Sequence, residues 1–428
     1  MYICDELMDK VYKSEIAEFL KENGIDNPND ERYPKDRKKM LELLVSEGNI
    51  TEETLSEFFY TKIMCGEHRL MRVYKLSDRS SNLLREKTAW ESFMDRYQIK
   101  NLKYNLILTQ LKHRAETIKL IYVKVYRDKL KRMLSRIDMI YAFKILKYNR
   151  YSGEVDKLNS YLPVSIDLVN KEIIIKVCNQ TGLVETSRPK IQMNMVFDEL
   201  QDILNIELDG NKVRPENVLY DMSRDLFNNF YKQLPNIEEI DKKKENLDRI
   251  VDMLLQDIKL NFSFKDKNGL LHIDEKLIDL EDELYKLLQQ TALIDYLETE
   301  DLTTLLPEDE IYISKIRFSD QDNLEASLTG ENGMDCIYDK RTFMGIRNSL
   351  DIVKRIFAMR VIFPQEKSDL SVKYEVTGER YIIVHILDGK HYNLDEFKEA
   401  WELYRKYEKQ RINKRMLGKY EKFETTAM

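Results

Sequence analysis

Asp167, Glu172 and Lys176 have the residue types and spacing for metal-assisted cleavage of a phosphodiester. Two carboxylates brought together across a hairpin can hold Mg2+, and a neighbouring ammonium can steady the attacking water. Glu172 and Lys176 are four apart, so on a strand they share a face.

That arrangement resembles the PD-(D/E)xK nucleases, whose pattern places an acid on one strand and acid-x-lysine on the next. Here position 174 is Ile where the pattern has Lys. The resemblance implies a divergent metal-dependent nuclease, which stands as one alternative; apart from any motif, a large, motif-poor chain of this sort suits a bacterial anti-phage defence system or a phage. The segment RYIIVH, with Arg380 five residues before His385, resembles the Arg-x4-His signature of helical HEPN ribonucleases. Ile382, Ile383 and Val384 predict a strand instead, which makes His385 a half-buried sheet residue.

Other chemistry is excluded by what the chain lacks. No GxG occurs, and the Gly389-Lys390 pair has no upstream glycine. Phosphate cradles need closely spaced glycines so that backbone can approach the phosphates, and dinucleotide or P-loop enzymes are set aside. The histidines (His68, His113, His272, His385 and His391) show no metal-helix spacing. Cys4, Cys65, Cys178 and Cys336 stand far apart with no CxxC, the pattern of reduced thiols. The expectation is no cofactor, no metal and no catalytic set beyond the three candidates above.

The feature that stands out is a charge imbalance. Residues 100–150 hold fourteen Lys and Arg against three Asp and Glu, a balance of +11 in a chain of net charge -7. Residues 274–310 hold thirteen acids against Lys276 and Lys286, a balance of -11. Segregated charge of this kind speaks of partners. Cations that track phosphates, interleaved with rings that stack on bases, are the requirement for binding single-stranded nucleic acid on a sheet. Tyr104, Tyr122, Tyr126, Tyr141, Phe143, Tyr148 and Tyr151 supply rings. The candidate phosphate contacts are Lys112, Arg114, Lys119, Lys124, Arg127, Lys129, Lys131, Arg132 and Arg136. Equal weight falls on the rival reading, in which the tyrosines are core and the cations pair with acids of the same chain or a neighbour. Anionic lipid is a lesser third. A pI near 5.6 argues against a wholly basic nucleic-acid binder.

The elements that must position these residues follow from periodicity. The chain reads as α+β, a multi-module protein of four parts. Residues 1–76 form a helical N-terminal module, and 77–190 a basic antiparallel β-rich meander with a helix between its first strands. Residues 191–307 form an acidic helical module, and 308–428 a C-terminal mixed sheet with a basic final helix. Thr51 caps a helix, and KKMLELLVSEGNITEETLSEFF has helix-turn-helix character. Its second helix opens with Glu52 and Glu53, which suit a helix dipole and repel DNA phosphates. Residues 80–97 read as one helix, and 353–363 as a strand. Leu277, Leu280, Leu284, Leu287, Thr291 and Ile294 make a short coiled-coil-like seam, under three heptads long. Asn393 and Glu396 have capping-box spacing.

No stretch approaches a membrane span, and MYICDELMDK lacks the bases and apolar run of a signal peptide. The expectation is a cytoplasmic, non-catalytic nucleic-acid-binding subunit that self-associates. The alternative is an assembly scaffold whose complementary charges join subunits.

Overall fold

The computed structural model describes residues 3–25, 34–109, 118–128, 133–149, 151–210, 213–234, 237–242, 246, 249–250, 252–253, 280–298, 310–319, 325–338, 341–366, 368–378, 380–387 and 391–426. The mixed α+β class is as expected: helices alternate with antiparallel strands.

The chain opens with helices α1 (Asp5–Met8), α2 (Lys13–Glu22), α3 (Arg37–Ser46) and α4 (Glu52–Met64). Asp36 accepts from Lys38 N and Lys39 N at the start of α3, and Thr51 Oγ1 from Thr54 N at 3.0 Å at the start of α4. These caps satisfy amides that no helical carbonyl reaches. Next come β1 (Leu70–Lys75), α5 (Asp78–Leu83) and α6 (Glu91–Arg96). The meander follows as β2 (Tyr104–Asn105), β3 (Lys119–Arg127), β4 (Leu134–Tyr148), β5 (Val155–Asp167) and β6 (Glu172–Val177), and then α7 (Pro189–Leu204). The rest is α8 (Pro215–Tyr231), α9 (Ile237–Lys242), α10 (Leu280–Leu297), β7 (Tyr312–Ser319), β8 (Glu325–Thr329), α11 (Arg341–Val353), β9 (Ala358–Phe363), β10 (Leu370–Val376), β11 (Tyr381–Ile386) and α12 (Leu394–Thr426).

The chain divides into two compact units, which cut across the four consecutive modules read from sequence. The first is Met1–Pro215 with Val372–Leu403, and the second is Glu216–Ser371 with Tyr404–Met428.

In the first unit the strands run in the order β2-β3-β4-β5-β6-β1-β11-β10, each neighbouring pair antiparallel. Helices pack on both faces. On one, Tyr74 of β1 stacks on Phe197 of α7 with ring centroids 4.0 Å apart. There Arg72, 1% exposed, donates to Asn194 and lies 4.5 Å from the Tyr381 ring. Trp90, Phe93, Met193, Val196 and Leu200 complete that core. On the other face lie α4 and the start of α12, whose Trp401 is 1% exposed. The Asn393 capping box is present: Glu396 N donates to Asn393 Oδ1 at 2.9 Å, and Asn393 N to Glu396 Oε2 at 2.6 Å.

In the second unit β7 lies between β9 and β8, antiparallel to both. Phe227, Phe230, Tyr338 and Phe343 form an aromatic cluster. The buried side of α10 is Lys286, Gln289 and Leu293, where Lys286 Nζ meets Asp351 at 2.6 Å. Of the seam residues, Leu284 and Ile294 are half-buried, Leu287 and Thr291 are exposed, and Leu277 lies outside the described residues.

The structure corrects several element boundaries. Residues 70–75, assigned to a helical module, form β1 between β6 and β11; Met71, Val73 and Tyr74 are buried apolar residues in a run too short to separate periods two and 3.6. Of the stretch between the first basic strands, expected to be helical, residues 134–138 belong to β4, which starts at Leu134, and 129–132 lie outside the described residues. The single helix over 80–97 is broken into α5, a 3-10 turn (Lys87–Trp90) and α6. The expected strand at 353–363 begins only at Ala358, because α11 runs to Val353 and Lys354 then adopts φ +54°. Asn268 and Gly269, whose residue types suit a hairpin turn between KLNFSF and LLHI, lie outside the described residues.

Candidate nucleic-acid interface

The register of β3 to β6 and β1 decides which charged residues share a face. Arg136 pairs with Asp167, Asp167 with Glu172, and Glu172 with Lys75. Directly opposed residues of antiparallel strands project to the same side. One row therefore reads Tyr126, Arg136, Asp167, Glu172, Lys75, and the next reads Lys124, Asp138, Ser165, Ile174, Val73. Lys176 lies on the same face four residues beyond Glu172, and Lys119, opposite Ala142, is there too.

Most of these charges are engaged within the unit. Asp138 is 0% exposed, and it accepts from Arg136 Nε at 2.8 Å, from Ser165 Oγ at 2.7 Å and from the Tyr60 hydroxyl of α4. A buried carboxylate needs such partners, because leaving water is costly for a charge. Burial followed by the adjacent Asp138 carboxylate pushes the Tyr60 hydroxyl far above its ordinary range. Arg136 is raised too: burial opposes its charge, and the Asp138 carboxylate outweighs burial. Lys124 pairs with Glu57 of α4 and lies 4.9 Å from the Tyr60 ring. Burial works against its ammonium, yet the Glu57 hydrogen bond leaves its pKa raised.

The carboxylates with nuclease-like spacing also have structural partners. Glu172, 1% exposed, accepts from Lys75 Nζ at 2.7 Å and Trp401 Nε1 at 2.9 Å. Lys176, 3% exposed, donates to Met64 O at 2.7 Å and the Tyr392 hydroxyl at 3.3 Å, and burial lowers its pKa. Asp167 accepts from Val169 N and Asn170 N at 2.9 and 2.8 Å, which shapes the β5–β6 turn. Among the described residues no group of three His, Cys, Asp or Glu side chains is placed to hold a metal ion. His385 is on β11, as its apolar neighbours predict; burial lowers its pKa to about 4.

Of the nine candidate phosphate contacts, Lys112, Arg114, Lys129, Lys131 and Arg132 lie outside the described residues. Lys124 and Arg136 share a face and are paired as above. Arg127, at the end of β3, is exposed. Lys119 is half-buried, and desolvation lowers its pKa.

What the sequence reading underweighted is the arm formed by the far ends of β4 and β5. β3 covers β4 only as far as Ala142, whereas the β4–β5 pairing continues out to Tyr148 and Val155. The face it shares with Asp138 carries Lys144, Leu146 and Tyr148 opposite Asn159, Lys157 and Val155. The other face sets Lys147 opposite Asp156. Segment 182–184 braces the arm: Tyr148 N donates to Gly182 O and Val184 N to Leu146 O, both at 2.9 Å.

The tip is tightly built. Asn149 N donates to Glu154 O at 2.8 Å, and Asn149 O accepts from Gly153 N at 2.9 Å. Its side chain accepts from Tyr151 N at 3.0 Å and Ser152 N at 3.3 Å, and donates to Asp156 at 3.1 Å. Gly153 takes φ +73°, which favours glycine. Of the rings named from sequence, Tyr122, Tyr141 and Phe143 are buried, and Tyr126 hydrogen-bonds Tyr60 at 3.1 Å. Tyr148 is 55% exposed and Tyr151 fully so.

No protein family matches the chain, and no curated protein is recognisably similar to it. Among the described residues no helix is long and apolar enough to cross a membrane.

Proposed function

We propose that this chain is a non-catalytic nucleic-acid-binding subunit that contacts the phosphate backbone through the β4–β5 arm and the cations beside it. The observation that carries this reading is the face bearing Lys144, Tyr148 and, next to Ala142, Lys119: two cations and an exposed ring, and past Asp138 toward the tip no acid among the described residues of β4 and β5 on that face. Backbone binding needs only such cations, and rings add contact with bases. The paired Lys124 and Arg136 serve as the arm's foundation, holding α4 to the sheet.

Binding of labelled oligonucleotides at roughly 50 and 200 mM salt tests the reading. With about six phosphates engaged, affinity falls on the order of a thousandfold between those salts. No binding at the lower salt overturns it.

A second reading, a self-associating assembly subunit, is favoured by one observation. β6 pairs with β5 only over Val164 to Asp167, and among the described residues no strand covers the outer edge of residues 155–163. An uncovered edge is a template for another strand. Sedimentation of the same sample separates the readings: a defined oligomer that binds no oligonucleotide supports the second.

A further inference from the structure

We infer that α12 carries a second nucleic-acid surface, one shaped to lie in the major groove of duplex DNA. This rests on the nucleic-acid reading above and adds a separate contacting element and the form of the ligand. From Lys406 the helix repeats at i, i+3, i+4, i+7 and i+8 as Lys406, Lys409, Gln410, Asn413 and Lys414, and all five are exposed. Lys406 lies 5.3 Å from the Tyr407 ring. Among the described residues the other four have no ion pair or side-chain hydrogen bond.

Packing fixes which way this stripe faces. Tyr404 and Tyr407 are buried, and Arg411 donates to the Asp221 carboxylate and to Asn217 O at 3.2 Å, both on α8. At about 100° per residue, the order across the stripe is Lys409, Asn413, Lys406, Gln410, Lys414, on the side turned away from Tyr404. Lysines therefore stand at both flanks, with two amides and the third lysine between them.

That order suits a groove with phosphates on both walls and base edges on its floor. The major groove of B-DNA admits an α-helix, and Asn and Gln amides can each form paired hydrogen bonds with adenine there. Lys409 and Lys414 then reach the two backbones, while Gln410 and Asn413 face the bases. A merely solvated helix face gains from acids and bases four apart, and lysines three apart repel. Glu399 and Glu402 supply acids to this side of α12 in the two preceding turns, but from Lys406 to Lys414 the stripe has none. A polyanion supplies the missing charge. A single strand offers only one backbone, and the deep, narrow major groove of duplex RNA does not admit side chains.

The test measures binding of the full chain to labelled A·T-rich and G·C-rich DNA duplexes, an RNA duplex and single-stranded oligothymidine, starting at about 50 mM salt. The wild type is expected to prefer duplex DNA to duplex RNA. K409A and K414A each reduce the slope of log affinity against log salt by about 0.9, and K398A, exposed in the first turns of the same helix, leaves it unchanged. Q410A combined with N413A lowers the preference for A·T-rich over G·C-rich duplex on the order of tenfold. Urea midpoints at the wild-type value show that each surface variant is folded. Equal affinity for the DNA and RNA duplexes, or an unchanged salt slope in the K409A and K414A double variant, overturns the inference and leaves the broader reading standing. No binding of any of the four probes by the wild type overturns both.

Discussion

Arg136 Nε lies 2.8 Å from Asp138 Oδ1, two residues along the same strand, and the carboxylate it meets is fully buried. Asp138 also receives Ser165 and Tyr60, so one carboxylate ties β4 to β5 and to α4. Arg136→Ala leaves that carboxylate short of its cation in an apolar setting. The expected loss is about 3–5 kcal/mol of stability, read from urea denaturation. Lys124→Ala, at a partly exposed pair, is expected to cost about 1 kcal/mol or less. Equal effects of the two would contradict these roles.

Stability should depend on pH through His391 and two carboxylates. His391 Nδ1 lies 3.1 Å from Glu15, and Tyr12 stacks on the imidazole at 3.7 Å. The Glu67 carboxyl is lowered to about 2, first by the His391 imidazole, whose Nε2 lies 3.9 Å away, against the effect of burial and with help from Lys10. For Glu15, burial works upward, but His391, the Tyr12 amide and Lys62 outweigh it and leave about 2. The stabilisation from these depressed carboxylates is present above their ordinary value of 4.5 and lost as pH falls toward 2. His391 is displaced the other way: burial lowers it, and the hydrogen bond to Glu15 with the nearby Glu67 carboxylate more than compensates, so its pKa is raised from 6.5. Its contribution is complete below 6.5 and lost as pH rises through the raised value. Melting temperature against pH should therefore fall on both flanks, and His391→Gln should remove the alkaline one.

The hairpin carboxylates are expected to behave as structural groups. Glu172→Ala strands Lys75 and Trp401 Nε1 and should cost about 3–5 kcal/mol. Asp167→Ala loses turn hydrogen bonds and should cost about 1 kcal/mol. Millimolar Mg2+ should leave the wild-type melting temperature unchanged. A rise with Mg2+ that disappears in Asp167→Ala would instead mark a metal site and revive the nuclease reading.

Gly66 is expected to resist substitution. It adopts φ +56°, and a Cβ there would sit 2.7 Å from the Lys62 carbonyl oxygen. Backbone cannot yield as a flexible side chain can, so Gly66→Ala should lower stability by about 1–3 kcal/mol, read from thermal melts.

Some features of the fold are legible in the residues alone. Thr51 and the Asn393–Glu396 pair mark helix starts because capping chemistry is local, a side chain reaching amides two or three residues away. The strands around Ile174 and Ile383 are legible because β-branched runs bounded by polar turns favour extended backbone. β1 is not, because its central place rests on pairings with β6 and β11, roughly 100 and 310 residues away along the chain. The α10 seam misleads for a related reason. Leu287 and Lys286 are adjacent in sequence, and only packing decides that the lysine is covered and the leucine open.

The mixed class, the local caps and turns, and the concentration of cations and tyrosines in one stretch are thus properties of the amino-acid sequence. They depend on residue type and short-range geometry. Which of those cations are already taken is a property of the folded chain. Glu57 comes from α4 to meet Lys124, and Tyr60 of the same helix meets the Asp138 carboxylate that Arg136 pairs with, while Lys144 and Tyr148 extend past the end of β3 on an arm. Charge composition is additive along a sequence, whereas exposure depends on every neighbour at once, and so the location of the interface follows from the pairing of the strands.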